Sequence, residues 1–80
     1  MMSDRTMKDL REGERGRVKK IEVQGSMRRR LRDLGLIEQT LVECLYKSPS
    51  GDPAAYLIRG AVIALRAEDA RGIKIEDLKK

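Results

Sequence analysis

The stretch SMRRRLRDLGL, residues 26–36, decides how the rest of the chain is read. Met27, Leu31 and Leu34 recur at i, i+4 and i+7, one face of a 3.6-residue period, while Arg28, Arg29 and Arg32 lie off that face. Strict alternation does not fit, so the segment reads as a helix of about two turns, too short to form without a core to pack on. Ser26 is placed to cap its N-terminus, and Gly35 to end it in the left-handed conformation. In such an ending Leu36 contacts Leu31 and folds the exiting chain back over the helix, which gives Leu34, Gly35 and Leu36 each a structural reason. Arg30, three residues beyond Met27, flanks the apolar face, where its stem can lie along the core.

Outward from this helix the segments are short and punctuated by glycines and by the run SPSGDP at 48–53, the pattern of a small β-fold. After an entry turn at 10–16, residues 17–23 read as a strand. Val18, Ile21 and Val23 do not share one alternation, so a β-bulge is expected between Val18 and Ile21. Residues 41–47 are apolar in both phases, as in the central strand of a small barrel. Gly51, Asp52 and Pro53 form the tight turn of the following loop. Residues 55–59 and 61–66 read as a hairpin about Gly60, whose backbone needs a glycine. Residues 67–71 allow about one helical turn, stopped by Gly72, and Ile73 to Ile75 alternate as a last strand. The tail 77–80 is expected to fray.

The composition limits the chemistry. Eighty residues suffice for one domain, and with no Trp or Phe its core must be built from Leu, Ile, Val and Ala. There is no His, the side chain that most often moves protons near neutral pH, and the carboxylates are scattered without a motif that would raise a pKa. No phosphate-cradling Walker pattern is present, so no enzyme is expected. Cys44 is the single cysteine, which excludes an intramolecular disulfide; lacking a thiol pair and imidazole, the chain is expected to hold no metal and no cofactor. Cys44 itself reads as a small buried hydrophobe.

Charge is unevenly spread. The chain carries a net +5, yet positions 15–32 hold eight basic residues and one acid, Glu22, so the remainder is acidic on balance. Such a stripe suits an acidic partner. Nucleic acid is the alternative, but single-strand binders stack bases on aromatic rings, and Tyr46 and Tyr56 are the only aromatics here. A lipid surface would need a spare apolar helix face, and Met27, Leu31 and Leu34 are required by the core. The N-terminus leads into no apolar signal segment, and the longest apolar run, at 61–65, is far too short to span a bilayer, so a cytoplasmic protein is expected.

The ordered set LREGERGRVKKI (10–21), MRRRLRDLGL (27–36), SGDP (50–53), RGAVIALR (59–66) and AEDA (67–70) resembles the FeoA family. The resemblance implies one domain over residues 1–80, with its core at about 8–76 and frayed termini. It implies a mainly β fold: a small SH3-like β-barrel of about five or six strands with one short α-helix between the first two strands. It further implies a cytoplasmic accessory protein of bacterial ferrous iron uptake, neither permease nor enzyme. Its partner would be a FeoB-type membrane transporter with a cytoplasmic GTP-binding domain, which would recruit it to the inner face of the membrane. Within that frame we expect docking through the helix: Arg28, Arg29 and Arg32 steer, while Leu34, Leu36 and Ile37 give apolar contact. Met27, Leu31, Gly35, Gly51, Asp52, Pro53 and Gly60 are expected to be structural. An edge strand of an open barrel leaves weak self-association available.

Overall fold

The computed structural model describes residues 5–78. Five strands, β1 (Arg15–Ile21), β2 (Leu41–Lys47), β3 (Ala54–Ile58), β4 (Ala61–Leu65) and β5 (Ile73–Asp77), form one antiparallel sheet in the order β4-β3-β2-β1-β5. Helix α1 (Gly25–Asp33) joins β1 to β2, and the one-turn α2 (Ala67–Ala70) joins β4 to β5. The fold is mainly β, with α1 between the first two strands as expected.

The mismatch of phase in β1 has its cause in a bulge. Val18 pairs with Ile75 and Lys20 with Lys74, so one extra residue sits in β1 and both Val18 and Ile21 can reach the core. A second bulge lies in β2, where Cys44 pairs with Tyr56 but Tyr46 with Ala55. Val42 and Cys44 are buried, and the extra residue turns Tyr46, which shares their alternation, out to solvent. β2 is central in the sheet, but it is not apolar-buried on both sides: Leu41 is exposed on the outer face.

α1 ends as its sequence requires. Gly35, at φ +93°, donates its N–H to the Arg32 carbonyl at 2.9 Å, and Leu36 donates to the Leu31 carbonyl at 2.9 Å, the paired bonds of a Schellman ending. Leu31 and Leu36 are each 1% exposed, and Met27 and Leu34 pack against the core from its edge. The start of the helix differs from expectation. The chain turns into it at Gly25, so Gln24 is the cap residue, and Ser26 falls inside the first turn, beyond the capping position. Arg30 is exposed rather than laid on the core.

The N-terminal segment is more firmly held than its composition suggests. Met7 and Leu10 are fully buried, and a 3-10 turn at Met7–Asp9 follows a bridge between Thr6 and Lys74. The buried Tyr56 hydroxyl donates to the Met7 carbonyl at 3.2 Å, and burial pushes its pKa up to about 12. Asp77, expected to fray, pairs with Gly16 at the end of β5. Leu78 follows β5 half-buried, and residues 1–4, 79 and 80 of the expected frayed ends lie outside the described residues.

Arg5 closes this end of the sheet. Its guanidinium donates to both Glu14 carboxylate oxygens, at 3.1 and 3.2 Å, and also reaches Asp77. Together with a bond from the Arg11 backbone N–H, at 2.9 Å, the Arg5 pairing holds the Glu14 carboxyl down at about 2, against an ordinary value of 4.5. A carboxyl depressed in the folded state adds stability that is fully present above its unfolded pKa and is lost as pH falls through the folded one. Arg5→Ala is therefore expected to destabilise the protein at pH 7 by less than about 1 kcal/mol, since solvent screens this surface pair. The gap between Arg5→Ala and the parent should narrow between pH 4.5 and about 2. Urea unfolding of both proteins at pH 7, 4 and 2.5 checks this, and a gap that stays constant with pH would refute the pairing.

Candidate functional site

Anchoring α1 through Leu31 turns Arg28, Arg29 and Arg32 outward, and all three are exposed. Arg28 and Arg32, four residues apart, share one side of the helix. With Ile21, Leu36, Ile37 and Glu38 they line a groove of about 340 Å³ between α1 and the segment leaving it. Arg29 points from the same helix but does not line the groove, and Leu34 is half-buried against the core outside it. Leu36, expected to offer apolar contact at the surface, belongs to the core instead; only its edge floors the groove, because the Schellman ending draws it back onto Leu31. Ile37 provides the free apolar wall, at 53% exposed.

Thr40 explains why Ile37 stands out. Buried beneath the turn, its hydroxyl accepts the Ile37 N–H at 3.0 Å and donates to the Gly35 carbonyl at 3.3 Å. The turn is thus tied from below while Ile37 faces solvent. Thr three residues after Ile37 is a local hydrogen-bonding signal that sequence reading can use. Glu38, which brings a negative charge to the groove, was not among the expected site residues.

The other expected structural residues sit in turns. Asp52 accepts the Ala67 N–H on Oδ1 at 2.9 Å, so the Gly51-Asp52-Pro53 turn also fixes the start of α2. Arg59 and Gly60 form the two-residue β3–β4 turn at φ +49° and +85°, the positive pair that a type I′ turn demands. Cys44 lies in the core, where burial pushes its thiol pKa up and keeps it neutral. Among the described residues, no group of three or more cysteine or carboxylate side chains is placed to hold a metal ion. No helix among them is long and apolar enough to cross a membrane.

A five-stranded sheet with a short helix inserted after β1, edged by a basic-apolar groove, defines a small SH3-like domain. The FeoA domain model matches residues 5–77, and the chain belongs to the FeoA domain family. The FeoA protein of Chlorobium tepidum is 31% identical over 94% of this chain and 71% of its own, with a TM-score of 0.88. The FeoA-like protein of Clostridium acetobutylicum is 28% identical over 100% of this chain and 93% of its own, with a TM-score of 0.83. The zinc-complexed FeoA of Stenotrophomonas maltophilia is 24% identical over 90% of this chain and 89% of its own, with a TM-score of 0.79. That last protein is described as a prokaryotic SH3-domain protein and a candidate activating factor of ferrous iron transport. No curated protein matches the chain.

Proposed function

We propose that this protein is a non-enzymatic accessory factor of ferrous iron uptake that docks, at the cytoplasmic side of the membrane, on the GTP-binding region of a FeoB-type transporter. The observation that carries this reading is the α1 groove, where Arg28 and Arg32 flank the exposed Ile37 beside a helix held rigidly by Leu31. An apolar wall with a charged rim is the anatomy of a protein contact. The rim arginines steer the partner and set its approach, so they act on the association rate more than on residence time.

The test is a titration of the purified cytoplasmic G-domain with the parent protein and with Arg28→Ala/Arg29→Ala/Arg32→Ala, at several salt concentrations. Surface arginine replacements change stability by no more than about 0.5 kcal/mol, so the triple variant should remain folded by circular dichroism. Binding at least tenfold weaker, with a flatter salt dependence, is the expected result. Equal binding by both proteins would remove α1 from the interface, and tighter binding to an oligonucleotide run alongside would favour the nucleic-acid reading.

A further inference from the structure

Among the described residues two non-glycine positions have positive φ, Gln39 at 77° and Arg59 at 49°. Both line one groove of about 630 Å³ on the outer face of β1, β2 and β3, separate from the one beside α1. A left-handed backbone costs an ordinary residue roughly 1–2 kcal/mol, and here two tight turns hold it: 37–40, closed by the Thr40 N–H on the Ile37 carbonyl at 3.1 Å, and the β3–β4 turn. Asn or Gly would fill the Arg59 turn position with less strain, so an arginine at this place calls for a reason.

The chemistry of the groove supplies one. Arg15, Arg17 and Arg59 stand at its rim, and Glu43 is its one carboxylate. The Arg17 guanidinium donates to the carbonyl of the strained Gln39 at 3.2 Å. Among the described residues neither the Arg15 nor the Arg59 side chain forms a hydrogen bond or ion pair, although Arg15 stands directly across from Glu43 in the β1–β2 register. Beside Arg17 the floor is apolar at its cross-strand partner Leu41, 41% exposed, whereas Glu43 lies between Arg15 and the half-buried Leu57 in the register. Arg59 is also positioned from beneath, since a Cβ on Gly35 would lie 2.5 Å from its Cδ. Only a glycine at the end of α1 leaves room for that stem.

We propose that this groove binds an extended acidic peptide segment that carries an apolar side chain between two carboxylates. β2 lies between β1 and β3, so the backbone there is already committed to the sheet and recognition must be by side chains. In an extended segment alternate residues face the same way, about 6.6 Å apart, and the strands beneath are about 4.8 Å apart. An acidic, apolar, acidic set at alternate positions, about 13 Å from end to end, overlies the roughly 10 Å from β1 to β3, with its apolar side chain on Leu41 and its carboxylates toward the β1 arginines and Arg59. Polyphosphate backbones gain nothing from a leucine floor, and the groove offers no aromatic ring on which a base could stack. This inference is independent of the α1 groove and of the transporter reading.

The experiment is an amide chemical-shift titration of the full chain with the blocked peptide Ser-Glu-Ser-Leu-Ser-Glu-Ser. Comparison peptides replace both Glu by Gln, or Leu by Ser, and a ten-nucleotide oligothymidylate is run in parallel. The proposal expects shifts confined to residues 15–17, 39–43 and 57–60, and at least tenfold weaker binding for either altered peptide. Arg15→Glu/Arg59→Glu should weaken the parent peptide at least tenfold, while Arg28→Ala/Arg29→Ala/Arg32→Ala binds it as the parent does. Should the double charge reversal unfold, Arg15→Ala on the exposed strand position should still lose at least threefold. Shifts centred on α1, tighter binding of the oligonucleotide, self-association that occupies this face, or indifference to Arg15 would each overturn the proposal.

Discussion

Leu31→Ala is expected to lower the stability of the protein by about 2–5 kcal/mol. Leu31 is 1% exposed and is the one residue of α1 that is fully buried, so its removal leaves a cavity between the helix and the sheet. Whole domains of this size are stable by roughly 0.05–0.15 kcal/mol per residue, which makes this loss a large share of the total. A two-turn helix has no stability of its own to fall back on. α1 should therefore loosen with the core, and binding at both grooves should weaken as a consequence of unfolding. Urea denaturation checks the claim through a lower midpoint at unchanged slope. A loss below about 0.5 kcal/mol, the range of an ordinary surface change, would show that α1 does not pack through this residue.

Gly35→Ala is expected to cost about 1–2 kcal/mol from the backbone alone, because φ is +93° and an L-residue resists that conformation. The new methyl group would also meet Arg59, at 2.5 Å from Cδ and 3.0 Å from Nε, and displace its stem. Arg59 can move, so this second cost is the smaller one. The two parts separate in a double-mutant cycle: Gly35→Ala should be less damaging in an Arg59→Ala background, by the energy of the steric contact. Urea unfolding of the four proteins provides the measurement. Equal costs in both backgrounds would mean that Arg59 does not lie over the glycine. In the parent background the displaced arginine should also weaken the acidic peptide, which ties the end of α1 to the sheet-face groove.

What was legible beforehand follows from how far each signal reaches along the chain. The α1 ending is local, its paired bonds joining only Leu31, Arg32, Gly35 and Leu36, so Leu31, Gly35 and Leu36 could be placed from their spacing. The β1 bulge was legible because it leaves a trace in the strand itself, Val18 and Ile21 falling out of phase. The β2 bulge left no such trace, because Tyr46 is acceptable on either face of a strand, and its exposure emerged only from the pairing with β3. Ser26 is a capping residue type that stands one residue inside a helix beginning at Gly25, past the capping position held by Gln24. Leu36 misled because the same ending that was read correctly also buries it.

By itself the sequence determined the positions of the helix, turns and strands, the basic stripe, and the lack of histidine and of a second thiol. Those features rest on side-chain identity and on hydrogen bonds between near neighbours, which any reader of the chain can count. The tertiary structure alone decided which arginines stand together. Arg15 and Arg17 meet Arg59 across β2 because strand register brings residues some forty positions apart onto one face. Register follows from the alternation that buries one face of each strand and from the turns between strands, and since β1 reaches β2 only by way of α1, the face these arginines share emerged only in the folded sheet.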